Sequence, residues 1–154
     1  MRRYFQYLTA DYYGNKMTEK IHLEIVTPER KILDVDVEQV QVPGLNGELG
    51  ILPGHTEMVS QLKPAGLLSY STGTERGEIA ISGGFVEISS NQVIVLADRA
   101  TKPEDINLAD ALAFKASAER QLQKALTDPD ADILRATIEL ERASIEVQLA
   151  EKAR

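Results

Sequence analysis

Ile21-His-Leu-Glu-Ile25, followed by Leu33-Asp-Val-Asp-Val-Glu38, alternates apolar and polar side chains with a period of two. That period is the mark of a strand with one face in a core and the other in water. His22 falls on the polar face and reads as a solvated strand residue. The apolar positions are odd-numbered up to Val37 and even-numbered at Val40 and Val42, so a bulge or strand break is expected near Glu38 and Gln39. Turn residues recur at Ser71-Thr-Gly-Thr74 and Ser89-Ser-Asn-Gln92. Val93 to Ala97 is apolar without alternation, which predicts a strand buried on both faces. Residues 20 to 100 therefore read as short strands between turns, and a β-sandwich or flattened barrel of about 80 residues is expected.

The composition changes beyond this region. From Asn107 to Arg154 there is no glycine, one proline and eleven alanines. Asn107 is the expected N-cap of a first helix; Asp128 is the expected cap of a second, with Pro129 at its first position and Asp130 and Asp132 favouring its positive end. A short connection makes the two fold back as an antiparallel hairpin. Ile133, Ala136, Leu140, Ala143, Val147 and Ala150 recur at spacings of three and four, and Leu108, Ala111, Lys115, Ala118, Leu122 and Ala125 repeat that spacing. Seams punctuated by alanine permit close helix packing. A second stripe, Leu134, Ile138, Ile145 and Leu149, lies on another face of the second helix and must meet the β part or another protein. The fold class expected is β + α, a β-sandwich followed by a two-helix hairpin, divided as 17–104 and 105–154.

Residues 1 to 16 stand apart. They hold Tyr4, Phe5, Tyr7, Tyr12 and Tyr13, five of the eight aromatics, and a local charge of +2. No apolar stretch follows Arg2 and Arg3, so the segment does not read as a signal peptide. It reads either as a disordered or non-native extension, with Met17 as the expected start, or as an extra strand or aromatic contact.

Composition excludes several classes of function. A net charge of −7 argues against nucleic acid as the main partner, since phosphate contacts need a basic face. No run approaches 18 apolar residues, so no direct membrane insertion is expected. Zero cysteines remove disulfides, thiol catalysis and cysteine-ligated metal. His22 and His55 stand in separate contexts and do not suggest a metal site.

Between the second and later strands lies Gly44-Leu-Asn-Gly-Glu-Leu-Gly-Ile-Leu-Pro-Gly-His55. Four glycines and Pro53 shape it, while Leu45, Leu49, Ile51 and Leu52 stay apolar. The glycines fit neither a Walker loop nor GxGxxG. The segment reads as a rigid apolar loop that either plugs its own domain or is presented to a partner. Glu48 and His55 are the nearest approach to an acid–base pair, and no nucleophile accompanies them, so no catalytic residue is assigned.

Gly47-Glu-Leu-Gly-Ile-Leu-Pro-Gly-His55, with Val40-Gln-Val-Pro43 before it and Ile81-Ser-Gly-Gly-Phe-Val-Glu87 and Val93-Ile-Val-Leu-Ala-Asp98 after it, resembles the epsilon subunit of the rotary F-type ATP synthase, bacterial type, in matching order. The resemblance extends over about residues 20 to 154. It implies the same sandwich and a non-catalytic central-stalk subunit of a proton-driven synthase. It implies that Gly47, Glu48, Leu49, Gly50, Ile51, Pro53, Gly54 and His55 touch the shaft (gamma) subunit and the ring of membrane c subunits. The helices are then expected to oppose ATP hydrolysis, with Lys115, Arg120, Lys124, Arg135 and Arg142 as candidate contacts to the catalytic beta and alpha subunits. Solvated pairing with nearby acids is the alternative for each of these cations. The expected location is the cytoplasmic face of the plasma membrane, peripheral, within the complex.

Many bacterial relatives carry Ile/Leu-Asp-x-x-Arg-Ala at the start of the first C-terminal helix, where it binds ATP. The matching residues are Ile106-Asn107-Leu-Ala-Asp110-Ala111. Asn107 replaces the acid and Asp110 the arginine, and a carboxylate where a cation should face phosphate is repulsive. No cofactor is expected. A stand-alone nucleotide-responsive binding module is the alternative function, separable by co-purification with the shaft subunit.

Overall fold

The computed structural model of the protein describes residues 19 to 153; the segment 1–16 and Met17 lie outside them. Ten strands follow in order: β1 (Ile21–Val26), β2 (Lys31–Val37), β3 (Gln39–Gly44), β4 (Gly47–Ile51), β5 (Met58–Gln61), β6 (Gly66–Thr72), β7 (Glu75–Ser82), β8 (Phe85–Ser89), β9 (Gln92–Leu96) and β10 (Arg99–Thr101). They form two five-stranded sheets, β2-β1-β9-β8-β5 and β10-β7-β6-β3-β4. Among the described residues only β1 and β9 pair in parallel; the other neighbours are antiparallel.

The alternation at β1 decides which faces meet. Ile21, Leu23 and Ile25 are buried in the core, while His22 and Glu24 turn outward. Val40, Val42, Leu68, Ile79 and Ile81 of the second sheet close the core from the other side. The parity change at Glu38 is a strand break: β2 ends at Val37 in the first sheet and β3 begins at Gln39 in the second. Val37 and Val40 are both fully buried because the two strands face one core from opposite layers. A bulge that the pattern does not announce lies between Ile25 and Val26, and the unpaired Ile32 opposite it is buried.

Two strand expectations are corrected. β9 is not buried on both faces: Val93 and Val95 point inward, but Ile94 is only partly covered and Leu96 is 51% exposed. A two-layer sandwich leaves each sheet one outer face, and no third layer covers β9 among the described residues. Residues 47 to 51 are not loop but the edge strand β4, paired with β3 from Val40↔Ile51 to Gly44↔Gly47. Only Leu45 and Asn46 form the turn. Ile51 enters the core, Leu49 packs against it, and Leu45 is exposed.

After β10 a 3-10 turn, Pro103–Asp105, leads to α1 (Leu108–Ala125) and α2 (Ile133–Lys152). Asn107 caps α1 as expected, its side chain accepting from the Ala109 and Asp110 amides. The cap of α2 is Asp132 and not Asp128. Asp128 closes its own turn, its side chain accepting from Asp130 N and its carbonyl from Ala131 N, so Pro129 serves a turn and not a helix. The helices pack on Ala111, Ala118 and Ala125 against Ala136, Ala143, Val147 and Ala150. Ile133 and Leu134 of the two α2 stripes are exposed, whereas Leu149 is buried where α2 meets β6 and β7.

Candidate functional site

The edges β4 and β5 lie on one flank of the sandwich, joined by residues 52 to 57, and a bridge between Gly44 and Leu62 draws the two sheets together there. Sequence explains the corner. Leu52 O accepts from His55 N at 3.1 Å across Pro53 and Gly54, whose φ of +79° makes a type II turn with each residue in its favoured place. Gly54 N donates to Asn91 Oδ1 at 2.7 Å, tying the corner to the β8–β9 turn.

Glu48 and His55 are not brought together as a pair. Glu48 meets Lys63 at 3.4 Å, both side chains being more than 40% exposed. His55 Nδ1 bonds the Thr56 carbonyl at 2.8 Å. Gly47 has φ +135°, a backbone that other residues resist, while Gly50 has ordinary φ and open space where a Cβ would stand. The corner therefore offers a bare, flat edge with an acid and an imidazole at its two ends. Nothing in it positions a nucleophile.

The outer face of the first sheet adds residues that the sequence reading did not single out. Val59 is 66% exposed and Phe85 52%, beside Leu96. Phe85 pairs across strands with Leu96 and with Gln61, and Val59 pairs with Glu87, so these side chains occupy one face of β5, β8 and β9. Their signal in the sequence was weak, because β9 read as fully buried. Towards β2 the same face becomes charged. His22 lies 2.9 Å from Asp36 and 3.2 Å from Asp34, and Lys31 joins Glu24 and Asp34 at 2.8 Å each. The Asp36 hydrogen bond, helped by the charges of Asp34 and Glu24, raises the His22 pKa above its ordinary value. Lys31 holds the Asp34 carboxyl below its own.

The hairpin cations divide into two groups. Arg120, Lys124 and Arg135 are exposed and Lys115 is partly so, and no ion pair among the described residues engages them. Arg142 is not a surface cation. Its side chain is 19% exposed, its guanidinium meets Glu139 at 2.7 Å and lies 5.1 Å from the Phe114 ring centroid, joining α2 to α1. At the start of α1, Asn107 Oδ1 already accepts from two amides, and Asp110 is an exposed acid in the first turn. The anion-attracting end of the helix, at Ile106, Asn107, Asp110 and Ala111, is thus capped and negatively flanked, which disfavours a phosphate there.

The family profile described as "ATP synthase, Delta/Epsilon chain, beta-sandwich domain" matches residues 20–103. The chain is 42% identical over 136 residues to the ATP synthase epsilon chain of Syntrophobacter fumaroxidans, covering 88% of this chain and 99% of that one. It is 43% identical over 123 residues to the ATP synthase epsilon chain of Bacillus licheniformis, covering 80% and 92%. Among solved structures it is similar to a chain of the Euglena gracilis mitochondrial ATP synthase, OSCP/F1/c-ring, with a TM-score of 0.72 at 23% identity over 96% of this chain and 92% of that one. At that identity the likeness is one of fold.

Proposed function

This chain belongs to the ATP synthase epsilon chain family, and on that premise we propose a division of labour between its two parts. It is a non-catalytic subunit of a membrane-bound synthase complex, and among the described residues no helix is long and apolar enough to cross a membrane. The sandwich, 17–104, is the docking part. Its edge and corner, Gly47 to His55, face the ring of membrane c subunits and the shaft (gamma) subunit. The apolar face of Val59, Phe85 and Leu96 extends that surface around the first sheet. The hairpin, 105–154, is the regulatory part: released from the sandwich, it lies along the shaft and opposes hydrolysis at the catalytic beta and alpha subunits. Lys115, Arg120, Lys124 and Arg135 are its contacts, and Arg142 holds its two helices together. On this reading the chain is peripheral to the membrane, on the cytoplasmic face of the plasma membrane.

The observation that carries this reading is the segregation of surfaces. Exposed apolar side chains on the sandwich lie on the first sheet and its flank, while the hairpin rests on the second sheet. A subunit that only plugged its own core would leave neither free. The experiment is an ATPase assay of the reconstituted catalytic head, with and without this chain, alongside co-purification with the shaft subunit. Hydrolysis is expected to fall on addition of the chain, and the shaft subunit to co-purify. Failure of co-purification would remove the chain from the rotor.

A further inference from the structure

The hairpin's hold on the sandwich is narrow. The principal contacts are made by α2, where Leu149 is buried and Lys152 Nζ donates to both carboxylate oxygens of Glu78 on β7, at 2.9 and 3.0 Å. Beside them lies a cleft of about 670 Å³ lined by Tyr70, Arg76, Glu78, Lys102, Leu149 and Lys152 among others. Solvent therefore reaches the ion pair from one side, and Lys152 is half exposed.

The connection to α1 is held up to a defined point. Arg30 of the β1–β2 loop donates to Asp105 at 3.2 Å, and Ile106 N donates to Pro103 O at 3.2 Å. The first helical bond runs from Ala111 N to Asn107 O. Between these lie Ile106 and Asn107, both extended, with ψ of 119° and 116°. Rotation about Ile106 ψ and Asn107 φ breaks neither the linker bonds nor the capped helix.

We infer that Glu78, Lys152 and Leu149 form a latch that sets how often the hairpin leaves the sandwich, with its pivot at Ile106 and Asn107. This rests on the reading of the hairpin as a movable arm and names what regulates it. An exposed pair contributes little and is screened by salt, so it tunes the equilibrium and does not lock it. Leu149 supplies the larger share, since leaving its seat exposes a whole leucine side chain. The latch is thus sensitive to ionic strength and to any anion or cation that competes for either partner.

The absence of native cysteine allows two unique spin labels on the full chain, at the exposed positions Glu75 and Gln148. Their distance distribution gives the ratio of released to docked hairpin. Glu78→Gln, which leaves the helix untouched, is expected to raise that ratio up to about fivefold, and added salt to raise it in the parent chain but not in the variant. Glu78→Lys combined with Lys152→Glu is expected to restore it, and Leu149→Ala to raise it tenfold or more. A ratio unmoved by Glu78→Gln and by salt, or not restored by the swap, overturns the latch. The same chains in the ATPase assay separate the two readings. If release changes as expected while inhibition ignores it, the arm reading fails and the latch stands. If removing the hairpin relieves inhibition while the labels ignore the variants, the latch fails and the arm stands.

Discussion

Gly47 and Gly50, three residues apart in one motif, have different reasons to be glycine. Gly47 needs its φ of +135°, so Gly47→Val is expected to destabilise the fold by about 1 to 3 kcal/mol in urea unfolding. Gly50 needs no special backbone, and Gly50→Val should leave stability within about 0.5 kcal/mol. If the edge is a docking surface, the valine at 50 still weakens binding to the shaft and ring; unchanged affinity would take β4 out of the interface. Asn107 and Asp110 lead to a second expectation. With the helix end capped and an acid beside it, calorimetry at millimolar ATP should show no binding, and a micromolar dissociation constant would require other residues. His22 gives a third. Its pKa is raised in the fold, so its contribution is present in full below the unfolded value near 6.5 and is lost as pH rises through the folded value. The thermal midpoint of the parent chain should therefore lie slightly above that of His22→Gln at pH 6 and lose that advantage by pH 8, and an equal difference at both pH values would refute the coupling. The cap at Asn107 was legible from residue type alone, whereas the difference between Gly47 and Gly50 was not. The acids around His22 were not, since Asp34 and Asp36 come from a neighbouring strand.

At the scale of elements, period decides more than residue identity. Alternation marked β1 and β2 as strands, and the parity change at Glu38 marked a bulge or break where β2 gives way to β3, before any partner was known. β9 defeated the same reasoning. Its outer residues Ile94 and Leu96 are as apolar as its inner ones, and sequence cannot separate a strand covered twice from one whose outer face awaits a partner. That ambiguity is what an outer face proposed for docking leaves in the sequence. Phe85→Glu and Leu96→Glu, placed on the outer surface, should leave the circular dichroism and unfolding midpoint nearly unchanged and weaken assembly with the shaft subunit at least tenfold. Loss of folding in both would show that the face is structural. The second helix cap failed for a related reason. Asp128 and Asp132 both accept amide bonds, from Asp130 N and Arg135 N, and Pro129 suits a turn as readily as a helix start. Local propensity left several registers open, and the packing of α2 on α1 fixed one.

For the whole molecule, the hairpin core is mostly alanine, which brings helices close but buries little apolar area for each residue ordered. Such an arm depends on a second surface, here β6 and β7 through Leu149 and Lys152. Removing residues 107–154 is expected to leave a cooperatively folding sandwich that still assembles and supports ATP synthesis, with inhibition of hydrolysis relieved. Unfolding of the truncated chain, or assembly without synthesis, would refute the division. The sequence by itself determined the family, the order of sandwich and hairpin and the special corner at Gly44 to His55, because each rests on residue type and spacing along the chain. Only the tertiary structure decided that Gly47–Ile51 is an edge strand, that Phe85, Leu96 and Val59 share an outer face, that Arg142 lies between helices, and that Lys152 meets Glu78. Each of these joins residues far apart in the chain or depends on which face of a strand is left uncovered, and one-dimensional periodicity carries neither.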